Sequence, residues 1–241
     1  MLQQHWWQWM GVVGMSEWHI FDSANALDRA LQANLTTALK RDIRERGRAS
    51  LAVSGGSTPR GLLQQLSHAP LDWAKVDVTL VDERWVDPGS PDSNERLVRE
   101  TLLCNKAEAA NFIGLKSAPA NADDGVTEAI SRVTRMSQPF SAVVLGMGGD
   151  GHTASWFPQA ANLQELLDLE ASSSVAATEP VTAPHQRITL TMPAVLNTSN
   201  LIIHITGNEK REVLESAAER GYPIAAVLSQ TTTPVSIWWT P

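Results

Sequence analysis

Apolar residues first recur at helical spacing between positions 25 and 46. Ala26, Leu27, Ala30, Leu31, Leu35, Ala38, Leu39 and Ile43 fall on one face, and Gly47 ends the run. The pattern then changes to short apolar stretches. Leu51-Ala52-Val53 reads as a buried strand running into Ser54-Gly55-Gly56, and Pro59 suits the first turn of a helix that continues to Leu66. A second strand is predicted over 76–81, then a polar loop to Ser93 and a helix over 94–103 with Ser93 or Asn94 as its cap. A third strand, 141–145, again enters a glycine loop. Further strands are expected over 188–191 and 201–206, a helix over 210–218, and short strands over 224–228 and 235–239, the last stopped by Pro241.

Strands alternating with helices predict an α/β fold with a mostly parallel sheet and helices on both faces. Parallel strands align their C-terminal ends along one edge, where ligands bind at topological switch points. Three of the predicted strands end in loops rich in Gly, Ser, Asp or His, so the chemistry is expected on that edge. No internal repeat or linker interrupts the pattern; the polar stretch 162–184 reads as an excursion or cap. The opening MLQQHWWQWMGVVGM carries Trp6, Trp7 and Trp9 but neither a basic segment nor a long apolar one, so it does not read as a signal peptide. It reads as an unstructured extension over 1–17 ahead of a single domain over 18–241, with a Trp-rich sticky arm as the alternative.

Composition narrows the choice of partner. The chain has 241 residues, 43% hydrophobic and 19% charged, which is a globular balance with enough length for a buried core. Cys104 stands alone, excluding an intramolecular disulfide and an all-Cys metal site. No apolar run approaches the ~20 residues that cross a bilayer. Lys and Arg number 19 against 26 Asp and Glu, a formal charge of −7, which weighs against a nucleic-acid binder. The expectations are therefore a cytoplasmic protein with no nucleic-acid or membrane partner. An acidic chain that binds an anion needs a local cluster of cations and backbone N–H groups.

Three loops could supply one. In Ser54-Gly55-Gly56-Ser57-Thr58-Pro59 the glycines let backbone N–H groups approach an anion, and Ser57 and Thr58 add hydroxyls. The bland alternative is a helix-capping turn. Asp82-Glu83-Arg84-Trp85 follows a predicted strand; three charges there are costly to bury unless paired or functional, although a solvated turn or an Asp–Arg pair would also explain them. In Gly146-Met147-Gly148-Gly149-Asp150-Gly151-His152-Thr153-Ala154-Ser155, His152 can act as general acid or base, and Asp150 can orient its ring. The glycines can offer N–H groups to an oxyanion. The loop has too few ligands for a metal site. Arg187, before the 188–191 strand, and Lys210, near a helix start where the dipole disfavours a cation, are surface charges or phosphate ligands.

These pieces together carry a resemblance. SGGSTP, DERWV followed by SN, GMGGDGHTASWFP, RITLT and GNEK, in this order over about 18–239, resemble the 6-phosphogluconolactonases, with GMGGDGHTAS the most specific. Trp156 and Asp87 depart from the family pattern without touching a chemical role. The resemblance implies a Rossmann-like fold shared with glucosamine-6-phosphate deaminase and ribose-5-phosphate isomerase. It also implies hydrolysis of a sugar-phosphate lactone in the pentose phosphate pathway with no cofactor and no metal, by a monomer or weak homodimer. Gly55, Gly56, Ser57, Arg187 and Lys210 match phosphate-binding positions, with Thr58 in the same loop. Asp82, Arg84, Asp150 and His152 match active-site positions. The competing deaminases carry a Glu five residues after the histidine, where this chain has Phe157, which cannot support ring opening by acid–base chemistry. A non-catalytic sugar-phosphate sensor would be expected to carry a helix-turn-helix segment, for which the residues before the first predicted helix are too few.

Overall fold

The computed structural model describes residues 16–241; the expected N-terminal extension lies outside them up to residue 15. In chain order the elements are β1 (Ser16–Ile20), α1 (Ala24–Arg46), β2 (Ala49–Val53), α2 (Arg60–Leu66), β3 (Val76–Leu80), β4 (Asp82–Arg84), α3 (Asn94–Thr101), β5 (Asn111–Ile113) and α4 (Ala122–Thr134). There follow β6 (Ala142–Leu145), α5 (Leu163–Leu167), β7 (Val175–Thr178), β8 (Arg187–Leu190), α6 (Met192–Leu196), β9 (Leu201–Thr206), α7 (Asn208–Glu215), α8 (Ala217–Arg220), α9 (Ile224–Ser229) and β10 (Val235–Thr240).

Seven strands form one sheet in the order β1-β10-β9-β6-β2-β3-β5, and every pairing in it is parallel. Strands β2, β3 and β6 are buried along their whole length, as strands covered on both faces should be, although β2 includes Ser50 and β3 includes Asp77 and Thr79. Helix α1 lays Leu27, Leu31, Leu35 and Leu39 into the core with no exposure. Its ends are set by sequence: the Ser23 hydroxyl accepts from Ala26 N at 3.3 Å, and Gly47 closes the helix in the left-handed region at φ 78°. The order of the strands reverses between β2 and β6. From β2 the chain steps outward through β3 to β5; from β6 it steps the other way through β9 and β10. The loops leaving β2 and β6 therefore emerge side by side at the switch point.

Several predicted elements differ. Asp82-Glu83-Arg84, expected as part of a polar loop, is strand β4, and the 188–191 strand does not join the main sheet. Both belong to a separate antiparallel sheet, β4-β8-β7, whose third strand comes from the 162–184 excursion. Residues 224–228, expected as a strand, are helix α9; a five-residue apolar run has no periodicity with which to choose. Ser16 and Glu17, expected within the extension, instead pair with Val235 and Ser236 of β10. Elements β5 and α4 fill a stretch for which the pattern predicted nothing.

One buried polar pair ties α1 to the sheet. His204 of β9 and Asp28 of α1 are 2% and 7% exposed, with Nε2 and Oδ1 3.5 Å apart. Burial raises the Asp28 carboxyl to about 6 and lowers the His204 imidazole to about 4. Between pH 4 and 6 unfolding releases the Asp28 proton, so its contribution to stability falls as pH rises. Between pH 4 and 6.5 unfolding loads a proton on His204, so its contribution falls as pH drops. The two nearly cancel in the wild type. In Asp28→Asn only the histidine remains, and stability should fall more steeply on acidification from pH 6 to 4, by up to about 1.4 kcal/mol per pH unit. Urea unfolding at several pH values measures it; a slope equal to wild type would show that the pair does not titrate this way.

Candidate active site

The C-terminal ends of four consecutive strands of the main sheet, β3, β2, β6 and β9, open on one cavity of about 480 Å3. Nine predicted site residues line it: Gly55, Gly56, Ser57 and Thr58 after β2, Asp82 and Arg84 after β3, His152 after β6, Lys210 after β9, and Arg187 at the start of β8. Asp150, the tenth, contacts His152 but is not itself in the wall.

The loop after β6 carries a histidine–carboxylate pair. His152 Nδ1 lies 2.5 Å from Asp150 Oδ1, and the His152 backbone N–H donates to the same oxygen at 3.2 Å. With Nδ1–H donated to a carboxylate, Nε2 keeps the lone pair that can accept a proton. Burial pushes the Asp150 carboxyl up, but the His152 charge and the hydrogen bonds outweigh it, and the net shift is downward. Gly148 makes the pair possible: a β-carbon there would come 2.2 Å from the ring's Cε1 and 2.7 Å from Asp150 Oδ1. Phe157 backs the ring, with centroids 4.4 Å apart, and presents it an apolar face.

The Asp-Glu-Arg run gains its meaning from being a strand. Side chains alternate, so Asp82 and Arg84 face the cavity while Glu83 turns away from it. The Glu83 carboxylate, 1% exposed, accepts from Asn94 N at 2.8 Å, Glu95 N at 2.7 Å, Arg84 N at 2.7 Å and Ser93 Oγ at 3.0 Å. It thereby fixes the start of α3, where the Ser93 hydroxyl also caps Arg96 N. Burial raises the Glu83 carboxyl, and those four donors only partly offset it. Asn94 bridges onward: its Nδ2 donates to the Asp82 carbonyl at 2.9 Å, and its Oδ1 occupies the space a β-carbon on Gly55 would need, 1.9 Å away. Asp82 Oδ2 accepts from Ser155 Oγ at 2.6 Å.

Arg84 and Arg187 are directly opposite each other across the β4–β8 pair. Like charges so placed repel. Arg187 is 6% exposed, and burial first, then the Arg84 charge, pulls its guanidinium below the usual range, while Asp82 pulls the other way. The Nε atoms of both arginines are buried without a hydrogen-bond partner. Two guanidiniums brought together in the wall of a cavity suit an anion.

The glycine loop after β2 resolves in the same direction. Neither Ser57 nor Thr58 caps α2, whose N-cap is Pro59 with no side-chain hydrogen bond; both hydroxyl residues line the cavity instead. Lys210, in the first turn of α7, completes the basic side, with a β-carbon on Gly149 falling 3.8 Å from its Nζ. A second cavity, about 590 Å3 at the β5 edge, is also lined by cations, but four of the five are engaged. Arg48 holds Asp77, Arg99 holds Glu95, Arg132 holds Glu128, and Lys116 is bound to the carbonyls of Ser117 and Pro119. Among the described residues, no group of three or more His, Cys, Asp or Glu side chains could hold a metal ion, and no helix is long and apolar enough to cross a membrane.

Sequence reasoning missed Glu83 as the organiser of this corner, and Asp92 and His185 as cavity residues. The signal for Glu83 was its position between Asp82 and Arg84, readable only once the run is known to be a strand.

The glucosamine-6-phosphate isomerases/6-phosphogluconolactonase family model matches residues 22–238. A 6-phosphogluconolactonase of Rhizobium meliloti (strain 1021) is 42% identical over 227 residues, 92% of this chain and 98% of that one. The crystal structure of a 6-phosphogluconolactonase from Shewanella baltica OS155 superposes with a TM-score of 0.92 at 43% identity, covering 96% of this chain and 100% of that one. A monomeric glucosamine-6-phosphate deaminase, 15% identical, shares the fold, with a TM-score of 0.72 over 92% of this chain and 96% of that one.

Glu83→Gln places an amide N–H2 against backbone donors and leaves at least one of them unsatisfied in a buried site. It should cost about 2–3 kcal/mol, seen as a lower denaturant midpoint at unchanged slope. A cost near zero would mean that α3 is anchored elsewhere.

Proposed function

Because the chain belongs to the glucosamine-6-phosphate isomerase/6-phosphogluconolactonase family, we propose that it is a carboxylic ester hydrolase that converts 6-phospho-D-glucono-1,5-lactone to 6-phospho-D-gluconate, a step of the pentose phosphate pathway. The observation that carries this reading is the His152–Asp150 pair opening on a cavity whose other wall holds Arg84, Arg187, Lys210 and the Gly55–Thr58 loop. A base on one side and an anion receptor on the other fit a substrate with a reacting carbonyl at one end and a phosphate at the other.

In this mechanism Arg187, Lys210 and the Gly55, Gly56, Ser57 and Thr58 loop hold the 6-phosphate and bring C1 beside His152. Nε2 of His152 takes a proton from water as the water oxygen bonds to C1. Loop N–H groups stabilise the tetrahedral oxyanion, while Arg84, opposite Arg187, belongs to the phosphate receptor. The C1–O5 bond then breaks, the proton passes from Nε2 to the departing ring oxygen, and the new carboxylic acid ionises. Asp150 holds the ring in the required tautomer and supports its transient charge. Asp82, with Oδ2 engaged by Ser155, is assigned to a sugar hydroxyl. Phe157 at the deaminase Glu position supports hydrolysis over amine release. We place the protein in the cytoplasm with its metabolite substrate, as a monomer or weak homodimer.

The test is acid release from lactone formed in situ from glucose 6-phosphate, measured above the spontaneous rate and in the presence of chelator. His152→Ala should lower kcat by ~10²–10⁴-fold with a modest change in KM. Lys210→Ala should chiefly raise KM. The reverse pattern would reject the role assignment. No acceleration by wild type, with ammonia released from glucosamine 6-phosphate instead, would replace the lactonase reading with the deaminase one.

A further inference from the structure

His185 occupies the turn between β7 and β8, two residues before Arg187, and its backbone is left-handed at φ 69°. A residue with a β-carbon is strained there, and such strain persists only where its surroundings over-determine it, often beside a ligand site. The surroundings here are specific. The Gln186 carbonyl accepts from Trp85 N at 2.7 Å, Gln186 Oε1 accepts from Ala122 N at 3.1 Å, and Arg187 Nη2 donates to the Pro184 carbonyl at 3.2 Å. The strained turn carries the imidazole to the cavity wall, where Nε2 lies 3.2 Å from Asp92 Oδ2; both residues line the cavity. Asp92 has a second bond: its backbone carbonyl accepts from Arg84 Nη1 at 2.6 Å. One residue is thus tied through its carboxylate to the Arg187 loop and through its carbonyl to Arg84.

Stability does not account for this. The side chains are 34% and 59% exposed, and a pair so open to water returns little to the folded state, while the left-handed backbone takes some of that back. The pair does bear on the repulsion between Arg84 and Arg187. The β4–β8 pairing fixes the two backbones opposite each other, and the His185–Asp92 contact adds a second link between their loops on the cavity side.

We propose that His185 and Asp92 form a clasp across the cavity mouth that holds Arg84 and Arg187 at the separation a phosphate monoester requires. This rests on the lactonase reading for the identity of the substrate, not for the anion. His185 Nε2–H donates to Asp92; neither residue touches the reacting atoms, and both are positioning residues for phosphate recognition.

The experiment uses the full chain as wild type, His185→Ala, Asp92→Ala, the double variant and His185→Asn. Asn tolerates the left-handed backbone and keeps an N–H donor. Lactone kinetics are read together with the affinity for inorganic phosphate by calorimetry, and thermal midpoints verify folding. Each alanine variant should raise KM and the phosphate Kd in parallel, by about fivefold for one lost hydrogen bond, with kcat within about twofold of wild type. The double variant should be no worse than either single one, because both break the same bond. His185→Asn should recover most of the phosphate affinity. The clasp is overturned if phosphate affinity is unchanged, if the single effects add in the double variant, if kcat falls while KM holds, or if Asn behaves as Ala. Should the wild type hydrolyse no lactone, the lactonase reading fails by itself, and phosphate affinity across the five proteins still decides the clasp.

Discussion

The site depends on two like charges held face to face. Arg84 and Arg187 oppose each other across an antiparallel strand pair, with buried Nε–H groups that no protein atom satisfies. Left to itself that arrangement would relax, so the protein surrounds it with restraints. Glu83 pins β4 to the start of α3 with four accepted hydrogen bonds, and Gln186 pins the loop before β8 to Trp85 and α4. Asp82 acts on Arg187 more strongly than Arg84 does, and in the opposite sense. An anion in the cavity is attracted by both guanidiniums at once, so the charge that is costly to gather there contributes to phosphate binding.

The chemistry is separated from that receptor by architecture. The parallel sheet supplies the base: β6 ends in a loop where Gly148 leaves room for the His152–Asp150 pair. The small antiparallel sheet supplies the guanidiniums. The two meet because β3 runs almost directly into β4, with Val81 alone between them, so the second sheet grows from the C-terminal edge of the first. An elongated substrate can span base and receptor, with its carbonyl and phosphate assigned to different layers.

Much of this was legible in the sequence. The α1 stripe, the buried strands and the two glycine loops have unmistakable patterns, and the switch point follows from them. His152 could be picked out because four glycines surround it and Asp150 in a loop that leaves a buried strand. Other parts left no local signal. A three-residue strand made of Asp, Glu and Arg has no apolar alternation, so β4 looked like a loop and the separate roles of Asp82, Glu83 and Arg84 were hidden. Strand β1 pairs on one side only and alternates Glu17 and His19 with apolar neighbours in a short edge run, too brief to stand out. The apolar run in α9 is too short to declare a period. His185 and Asp92 are ordinary polar residues in sequence; their meaning lies in a contact between loops distant along the chain.

The β4–β8 pairing also constrains when the protein becomes competent. Arg84 and Arg187 lie about a hundred residues apart, and Lys210 comes later still, so closing the receptor is among the most non-local events in folding. During synthesis the glycine loop, β4 and the His152 loop all emerge before the chain holds its full set of phosphate cations. A ribosome-bound fragment ending before β8 lacks Arg187 and Lys210, and with them β9 and β10, on which β6 and β1 pair. Affinity for a phosphate is therefore acquired in one late step of maturation.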